Sequence, residues 1–322
     1  MLEDRYGRRF SYLRLSITDV CNFRCHYCLP DGYQCESSRD FLSLPEIKTT
    51  VAAFSQLGTK KVRITGGEPS LRKDLPQIIE TVANTTGIEQ VAITTNGYKL
   101  PQQIQSWIDA GLTSLNVSVD SLDPRLFESI TGHDKLDTIL QGIEIANKAG
   151  LPVKVNSVLM DQVKGEGFQR FLDWIKHKSI SVRFIELMQT GDNLSLFNVQ
   201  HQSGQSLKDK LLSQGWTRVL KESTAGPAQE FQHPDYLGKI GLIMPYSKGF
   251  CESCNRLRIS SLGQLHLCLF AEKGLDLRPF MRSEDVAGLQ TELKRLLQDK
   301  ASGHWLDQGI TGATKHLAMI GG

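Results

Sequence analysis

Two groups of three cysteines mark where this chain could do chemistry. Cys21, Cys25 and Cys28 lie in "DVCNFRCHYCLP", with gaps of three and then two residues. Cys251, Cys254 and Cys268 lie in "FCESCNRLRISSLGQLHLC", with gaps of two and thirteen. Three is the wrong number for disulfides alone and one short of a closed metal site. Four readings compete for the first group: buried structural thiols, a disulfide plus one free thiol, a Cys3His zinc site using His26, or a 4Fe–4S cluster. His26 adjoins Cys25 and would have to fold back to join a zinc site. A cluster held by three thiolates leaves one iron open for another ligand. The second group allows a Cys3His zinc knuckle, with His266 two residues before Cys268 on one face of a predicted strand. Its rival is a second cluster with a second open iron. Arg256 and Arg258 alternate onto one face directly after this C-x2-C. Two guanidiniums there suit a phosphate-bearing ligand better than a solvated basic face does.

The rest of the chain must position these groups. Its 322 residues are 40% hydrophobic and 22% charged, with a formal net charge of +2. That balance gives no sign of bulk nucleic-acid binding, so any anion site is local. No apolar run approaches the ~20 residues of a membrane span. The opening "MLEDRYGRRFSYLRLS" lacks the apolar core of a secretory signal. The expectation is a cytoplasmic protein with reduced thiols, whose cysteines serve metal or catalysis.

β-rich runs recur at Leu13–Thr18, Lys61–Thr65, Val91–Thr95, Leu115–Asp120, Val153–Met160 and Val182–Met188. Helical periodicity appears between them at Pro45–Leu57, Leu75–Val82, Ile104–Ala110, Leu136–Ala149 and Phe168–Lys176. Six such units predict parallel strands in an α/β fold, short of the eight of a closed barrel. Periodicity does not choose between a partial barrel and a doubly wound sheet. The first cysteines follow the first strand, where barrel folds build their sites. After Met188 the pattern changes to a polar, loop-like stretch, "QTGDNLSLFNVQHQSGQS". A short helix at Leu207–Leu212 follows, then strands at Lys239–Met244, Leu257–Ser260 and "QLHLCLF", and an amphipathic helix at Ser283–Leu297. The predicted division is residues 1–190 and a smaller α+β extension, 191–322.

Arg14, Arg63 and Lys154 are charges set within apolar strands, where such residues seldom lie without a partner. Arg183 shares that oddity, and Glu186 on the same strand offers it a salt-bridge partner. Lys61 reads as a surface charge at a strand start.

The first cysteine motif after a first strand, with an aromatic before its third Cys, resembles the radical S-adenosylmethionine (SAM) superfamily. "TGGEP", Thr65 to Pro69, is similar to that family's second motif. Nearly the whole chain resembles the GTP cyclases of the molybdenum cofactor pathway. The likeness runs through "LRLSITDVCNFRCHYC", "KKVRITGGEPSLRKDL", "AITTNG", "LNVSVDSLD", "VKVNSVLM", "VRFIELM", "FCESCNRLRISS" and the closing "IGG". It implies a partial (β/α)6 barrel of the radical SAM type, with an extension carrying a second Fe–S cluster. It implies two 4Fe–4S clusters: one on Cys21, Cys25 and Cys28 that binds SAM, and one on Cys251, Cys254 and Cys268 that binds GTP. Tyr27, Gly67, Ser118 and Met188 would line the SAM pocket. Arg14, Arg63, Thr94, Lys154, Arg256, Leu257 and Arg258 would contact GTP, and catalytic roles would fall to Arg14, Gly321 and Gly322. The implied reaction takes hydrogen from ribose C3′ by a 5′-deoxyadenosyl radical and joins C3′ to guanine C8.

Val20 departs from the family's usual basic residue, Cys35 is an extra cysteine, and residues 299–315 match poorly. The resemblance calls for an electron donor that it does not identify. It leaves a homodimer and direct transfer to the next pathway enzyme open, and it implies neither nucleic acid nor membrane as a partner. Two alternatives stand beside it. One is a radical SAM enzyme acting on a peptide or another small molecule, with a relay cluster. The other is a zinc or Fe–S binding protein without radical chemistry.

Overall fold

The computed structural model describes all residues except 35–39, 221–224, 316 and 321–322. Cys35, Gly321 and Gly322 therefore lie outside the described residues. Strands β1 (Tyr12–Ser16), β2 (Lys61–Thr65), β3 (Gln90–Thr95), β4 (Ser114–Ser118), β5 (Val153–Leu159) and β6 (Ile180–Glu186) stand side by side in chain order. All five pairings are parallel. A doubly wound sheet would reverse its strand order midway. The unreversed order gives the partial barrel instead.

Helices α1 (Leu44–Gln56), α2 (Leu75–Ala83), α3 (Leu100–Asp109), α4 (Pro124–Thr131), α5 (Leu136–Lys148) and α6 (Glu166–Ile175) fill the crossovers. Alternation along each strand divides two chemistries. Leu13, Leu15, Val62, Ile64, Val91, Ile93, Leu115, Val117, Val155 and Val182 enter one apolar core with helix residues such as Val51, Ile79, Ile104, Ile143 and Phe171. The intervening positions carry Arg14, Arg63, Thr94, Ser118, Asn156 and Arg183, which line cavities. One face of the sheet thus holds the fold and the other holds the polar groups.

The later residues supply α7 (Leu194–Gln200), α8 (Gln205–Ser213), β7 (Thr217–Arg218), β8 (Gln229–Gln232), β9 (Lys239–Ile243), β10 (Arg256–Ile259), β11 (Gln264–His266), β12 (Leu275–Asp276), α9 (Arg278–Arg282) and α10 (Val286–Leu297). They extend the sheet at both edges: β9 pairs parallel with β6 and β10 pairs parallel with β1. The full order is β12-β11-β10-β1-β2-β3-β4-β5-β6-β9-β8-β7. Glu46 of α1 grips Arg278 of α9 at 2.8 Å, fastening the extension to the first crossover.

Three local expectations change. Helix α4 was not foreseen, though Asp123 caps it by accepting from Arg125 N and Leu126 N and Pro124 opens it; Asp-Pro is a regular helix start. Helix α7 forms inside the stretch read as loop. The strand expected over "QLHLCLF" ends at His266, so Cys268 lies beyond it and shares no strand face with His266.

Candidate functional site

The first cysteine loop leaves β1 and runs beneath the end of β2. Gly67 N donates to Thr18 O at 2.9 Å. A Cβ on Gly67 would sit 2.3 Å from Val20 O and 2.5 Å from Asp19 O, so only glycine lets the two loops touch. Glu68, fully buried, ties the ends of β2 and β3 together. It accepts from Thr95 Oγ1 at 2.7 Å and from Asn96 N at 2.6 Å. The end of α4 pins the loop from outside: Arg24 N donates to Thr131 O at 3.2 Å and His26 N to Ile130 O at 3.0 Å. Phe23 stacks on His133 with ring centroids 4.7 Å apart.

Cys21, Cys25 and Cys28 come together on one cavity, with Tyr27, Gly67, Thr94, Ser118 and Met188 on its walls. Burial pushes the Cys21 thiol up to about 11 and the Cys28 thiol up to about 12, and raises Cys25 as well. Thiolates here need a compensating positive charge, such as iron supplies. Tyr27 donates its hydroxyl to Asp120 Oδ2 at 2.9 Å, and Val158 N donates to Asp120 Oδ1 at 2.8 Å. Burial raises Tyr27 far above its ordinary range and lifts Asp120 to about 6. Asp120 escaped the sequence reading because an aspartate ending a strand looks like a turn residue.

Cys251, Cys254 and Cys268 line a second cavity. Asn156, Ile185 and Met188 belong to both cavities, so the two spaces adjoin. Strand register sets Arg258, Arg14 and Arg63 abreast on three neighbouring strands, and places Tyr12 between Arg256 and Lys61. Desolvation lowers the pKa of all three abreast arginines, Arg63 to about 10. Burial alone would raise Tyr12, but the charges of Arg63, Arg14, Lys61 and Arg256 bring it down to about 7. Cys254 is likewise raised by burial, yet Arg256 and Lys300 bring it to about 7. Leu257 turns its side chain into the apolar core and does not line the cavity. Lys154 sits one compartment further, with Lys61, Arg63, Arg183, Glu230 and Lys239. Burial, then the charges of Arg183, Lys61 and Arg63, lower it to about 8.

The chain's last described residues cross this site. Leu317 and Ala318 line the first cavity, and their backbone N–H groups hydrogen-bond to Cys28. Ile320 packs with Leu269, Phe270 and Leu306, beside Met188 and Cys268. Arg258 Nη1 donates to Ile320 O at 3.4 Å. Gly191 N donates to Thr314 O at 3.0 Å and Ala313 N to Ala271 O at 2.9 Å, which hold the approach to that segment.

Two sequence expectations are corrected. Arg183 does not pair with Glu186, because residues three apart on a strand face opposite sides. Its Nη2 meets Glu230 Oε1 at 2.5 Å, reaching across β9 where Gly241 leaves room for the arginine stem. Glu186 instead accepts from Gly204 N at 2.6 Å. Lys61 is not a surface charge. It is 5% exposed, with Nζ 5.3 Å from the centre of the Tyr12 ring.

Among the described residues, no three His, Cys, Asp or Glu side chains form a group that could hold a single ion. His26 and His266 line neither cavity. Three partly exposed thiols in each cavity fit a cluster held by three cysteines; His304 also lines the second cavity, and Asp120 and Glu186 the first.

Comparison with known proteins agrees with this geometry. Residues 15–175 match the radical SAM superfamily, and residues 180–306 match the family described as Molybdenum Cofactor Synthesis C. A GTP 3′,8-cyclase of Tolumonas auensis is 55% identical over 324 residues, covering 100% of this chain and 96% of the relative. One from Vibrio parahaemolyticus is also 55% identical, covering 99% of this chain and 97% of the relative. Among solved structures, Streptococcus suis SuiB bound to S-adenosylmethionine shares the fold, with a TM-score of 0.62 at 14% identity over 93% of this chain and 74% of that one. So does anSMEcpe with bound AdoMet and a peptide, with a TM-score of 0.56 at 14% identity over 89% of this chain and 83% of that one.

Proposed function

The chain belongs to the GTP 3′,8-cyclase family, and from that premise we infer which of its residues hold the reactants. It is an enzyme that cyclises GTP in the first step of molybdenum cofactor biosynthesis, with SAM and two 4Fe–4S clusters as cofactors. The observation that carries the residue assignment is the pair of adjoining cavities, each ending in a cysteine triad, with buried cations on the wall of the second. In this reading Cys21, Cys25 and Cys28 hold the first cluster, and Tyr27, Gly67, Ser118 and Met188 border SAM. Cys251, Cys254 and Cys268 hold the second. When bound, the first cluster and SAM supply a carbon-centred radical that takes hydrogen from ribose C3′.

The chain's own residues then have three tasks. Arg14, Arg63, Arg256, Arg258 and Lys154 offset the roughly four negative charges of GTP, by forked or point-charge contacts. Thr94 adds a hydroxyl. Asn156, Ile185 and Met188, common to both cavities, set the separation between radical source and sugar. Holding the reactants in line in this way is proximity catalysis. The buried walls and the segment Leu317–Ile320 keep water from a reactive centre. Gly321 and Gly322 extend that segment, and we assign them, with Arg14, to the catalytic step. Residues 1–190 and 191–322 are the two functional units.

Among the described residues no helix is long and apolar enough to cross a membrane. The reading places the enzyme in the cytoplasm, fed by an external one-electron donor, with its product passed to the next enzyme of the pathway. The test is anaerobic incubation with SAM, reductant and GTP deuterated at C3′. Deuterium in 5′-deoxyadenosine, with cyclic product, is the expected result. Unlabelled 5′-deoxyadenosine would refute hydrogen transfer from C3′.

A further inference from the structure

The N-terminal "LEDRYGRR" was read from the sequence only as a charged stretch. In the structure it reaches the second cysteine triad. Arg8 is buried, and its guanidinium donates four hydrogen bonds and pairs with Asp4. Nε and Nη2 both meet Asp4 Oδ2 at 2.7 Å. Nη1 donates to Cys251 O at 3.2 Å and to Ser302 O at 2.7 Å, and Nη2 donates to Ala301 O at 2.6 Å. Asp4 is in turn preset: its Oδ1 accepts from Tyr6 N and Arg8 N, each at 3.0 Å. Lys300 repeats the device from the other side. It is buried, its Nζ lies 5.4 Å from the centre of the Phe10 ring, and it donates to Leu267 O, beside Cys268.

These contacts add to what already joins the triad: Cys254 N donates to Cys251 O at 3.1 Å, and β10 pairs with β11. Cys251 and Cys254 lie in turns, and Cys268 lies past the end of β11. Thirteen residues separate Cys254 from Cys268. A planar guanidinium that donates from all three nitrogens fixes several backbone carbonyls in one plane, which a lysine cannot do. Lys300 heads the segment that Arg8 holds at Ala301 and Ser302, so Arg8 ties that segment to Cys251 and Lys300 ties it to Leu267, beside Cys268.

We propose that Arg8 and Lys300 are positioning residues for the second cluster, which clamp the backbone beside Cys251 and Cys268 so that three thiols are held ready for iron. The proposal rests on assigning the second cluster to Cys251, Cys254 and Cys268. It says nothing of the first triad, and this gives the test an internal control.

The experiment compares the wild-type chain with Arg8→Lys, Arg8→Gln and Lys300→Met after anaerobic reconstitution with iron and sulfide. Iron and sulfide per chain are measured, together with alkylation of each cysteine by iodoacetamide, read by peptide mass spectrometry. SAM cleavage to 5′-deoxyadenosine without GTP reports the first cluster alone. In the variants, iron should fall from about eight to about four per chain. Alkylation of Cys251, Cys254 and Cys268 should rise at least about tenfold, the size of a lost charged hydrogen bond. Cys21, Cys25 and Cys28 should stay protected, and SAM cleavage should stay within about twofold of wild type. Arg8→Lys keeps the charge and loses the fork, so it should resemble Arg8→Gln. Eight iron and full protection in all variants would overturn the clamp. Equal loss from both triads would also overturn it, since Arg8 would then serve the fold at large. A wild-type chain whose second triad stays fully alkylated would overturn the cluster assignment, and the clamp with it.

Discussion

Lys154 gives the substrate assignment a pH signature. Its ammonium sits among Arg183, Lys61 and Arg63, with Glu230 as the nearby carboxylate, and is lowered to about 8. Only the protonated form attracts a phosphate, and a bound phosphate would hold that proton well above pH 9. Binding GTP above pH 8 must therefore also take up a proton. Affinity is divided by a factor of one plus ten to the power of pH minus eight, about 1.1 at pH 7 and about 11 at pH 9. The expected loss is about tenfold, or ~1.4 kcal/mol. The terminal phosphate of GTP is already ionised through this window, with a second pKa near ~6. Tyr12, at about 7, loses its proton over part of the same range and would add to the effect, so the measurement belongs in a Tyr12→Phe background. Equilibrium dialysis of GTP against the reconstituted protein between pH 7 and 9 gives the curve. Lys154→Arg stays charged throughout and should flatten it. An affinity that does not change with pH, or a slope that survives in Lys154→Arg, refutes the reasoning.

Replacing Cys21, Cys25 and Cys28 together by Ala should lower iron from about eight to about four per chain and end SAM cleavage; unchanged iron would sink the first-cluster assignment. Arg258→Ala should weaken GTP binding by ten- to a hundredfold, about 1.5–3 kcal/mol, with iron unchanged, as checked by dialysis and iron assay. Gly67→Ala drives a Cβ into the carbonyls of Val20 and Asp19. Loss of SAM binding in a titration is expected, and a wild-type dissociation constant would show that the loops can part. Gly322→Ala should leave both clusters and GTP affinity intact yet stop cyclic product. Full turnover of a chain lacking Gly321 and Gly322 would remove the tail from the mechanism.

The sequence carried the parallel strands and both cysteine triads because their signals are local. β-rich runs, C-x3-C-x2-C and strand-borne arginines are each visible within ten residues. Arg14 and Arg63 stood out as charges in apolar strands and Arg258 as one of two arginines after the second C-x2-C, and strand register then set the three abreast. What stayed hidden depends on contacts far apart in the chain. Glu230 as the partner of Arg183 needs a strand from the extension and a glycine between them. Lys61 looked like a strand-start charge because nothing near it foretold the Tyr12 ring. The strand order, and with it the choice of a partial barrel, is set by pairing that periodicity does not encode.

The pairing of β10 with β1 has a consequence for synthesis. β1 leaves the ribosome long before β10, and β2 soon covers one of its edges. The other edge waits for Arg256–Ile259. At ~5–20 residues per second that wait is on the order of ten to fifty seconds. Throughout it, a nascent chain displays an unpaired strand edge bearing Tyr12 and Arg14, the kind of surface that templates aggregation. Holdase chaperones should therefore engage this chain at lengths short of residue 256 and release it once the edge is closed. The strand that carries Arg14 is thus also the one most exposed to mispairing before the enzyme is complete.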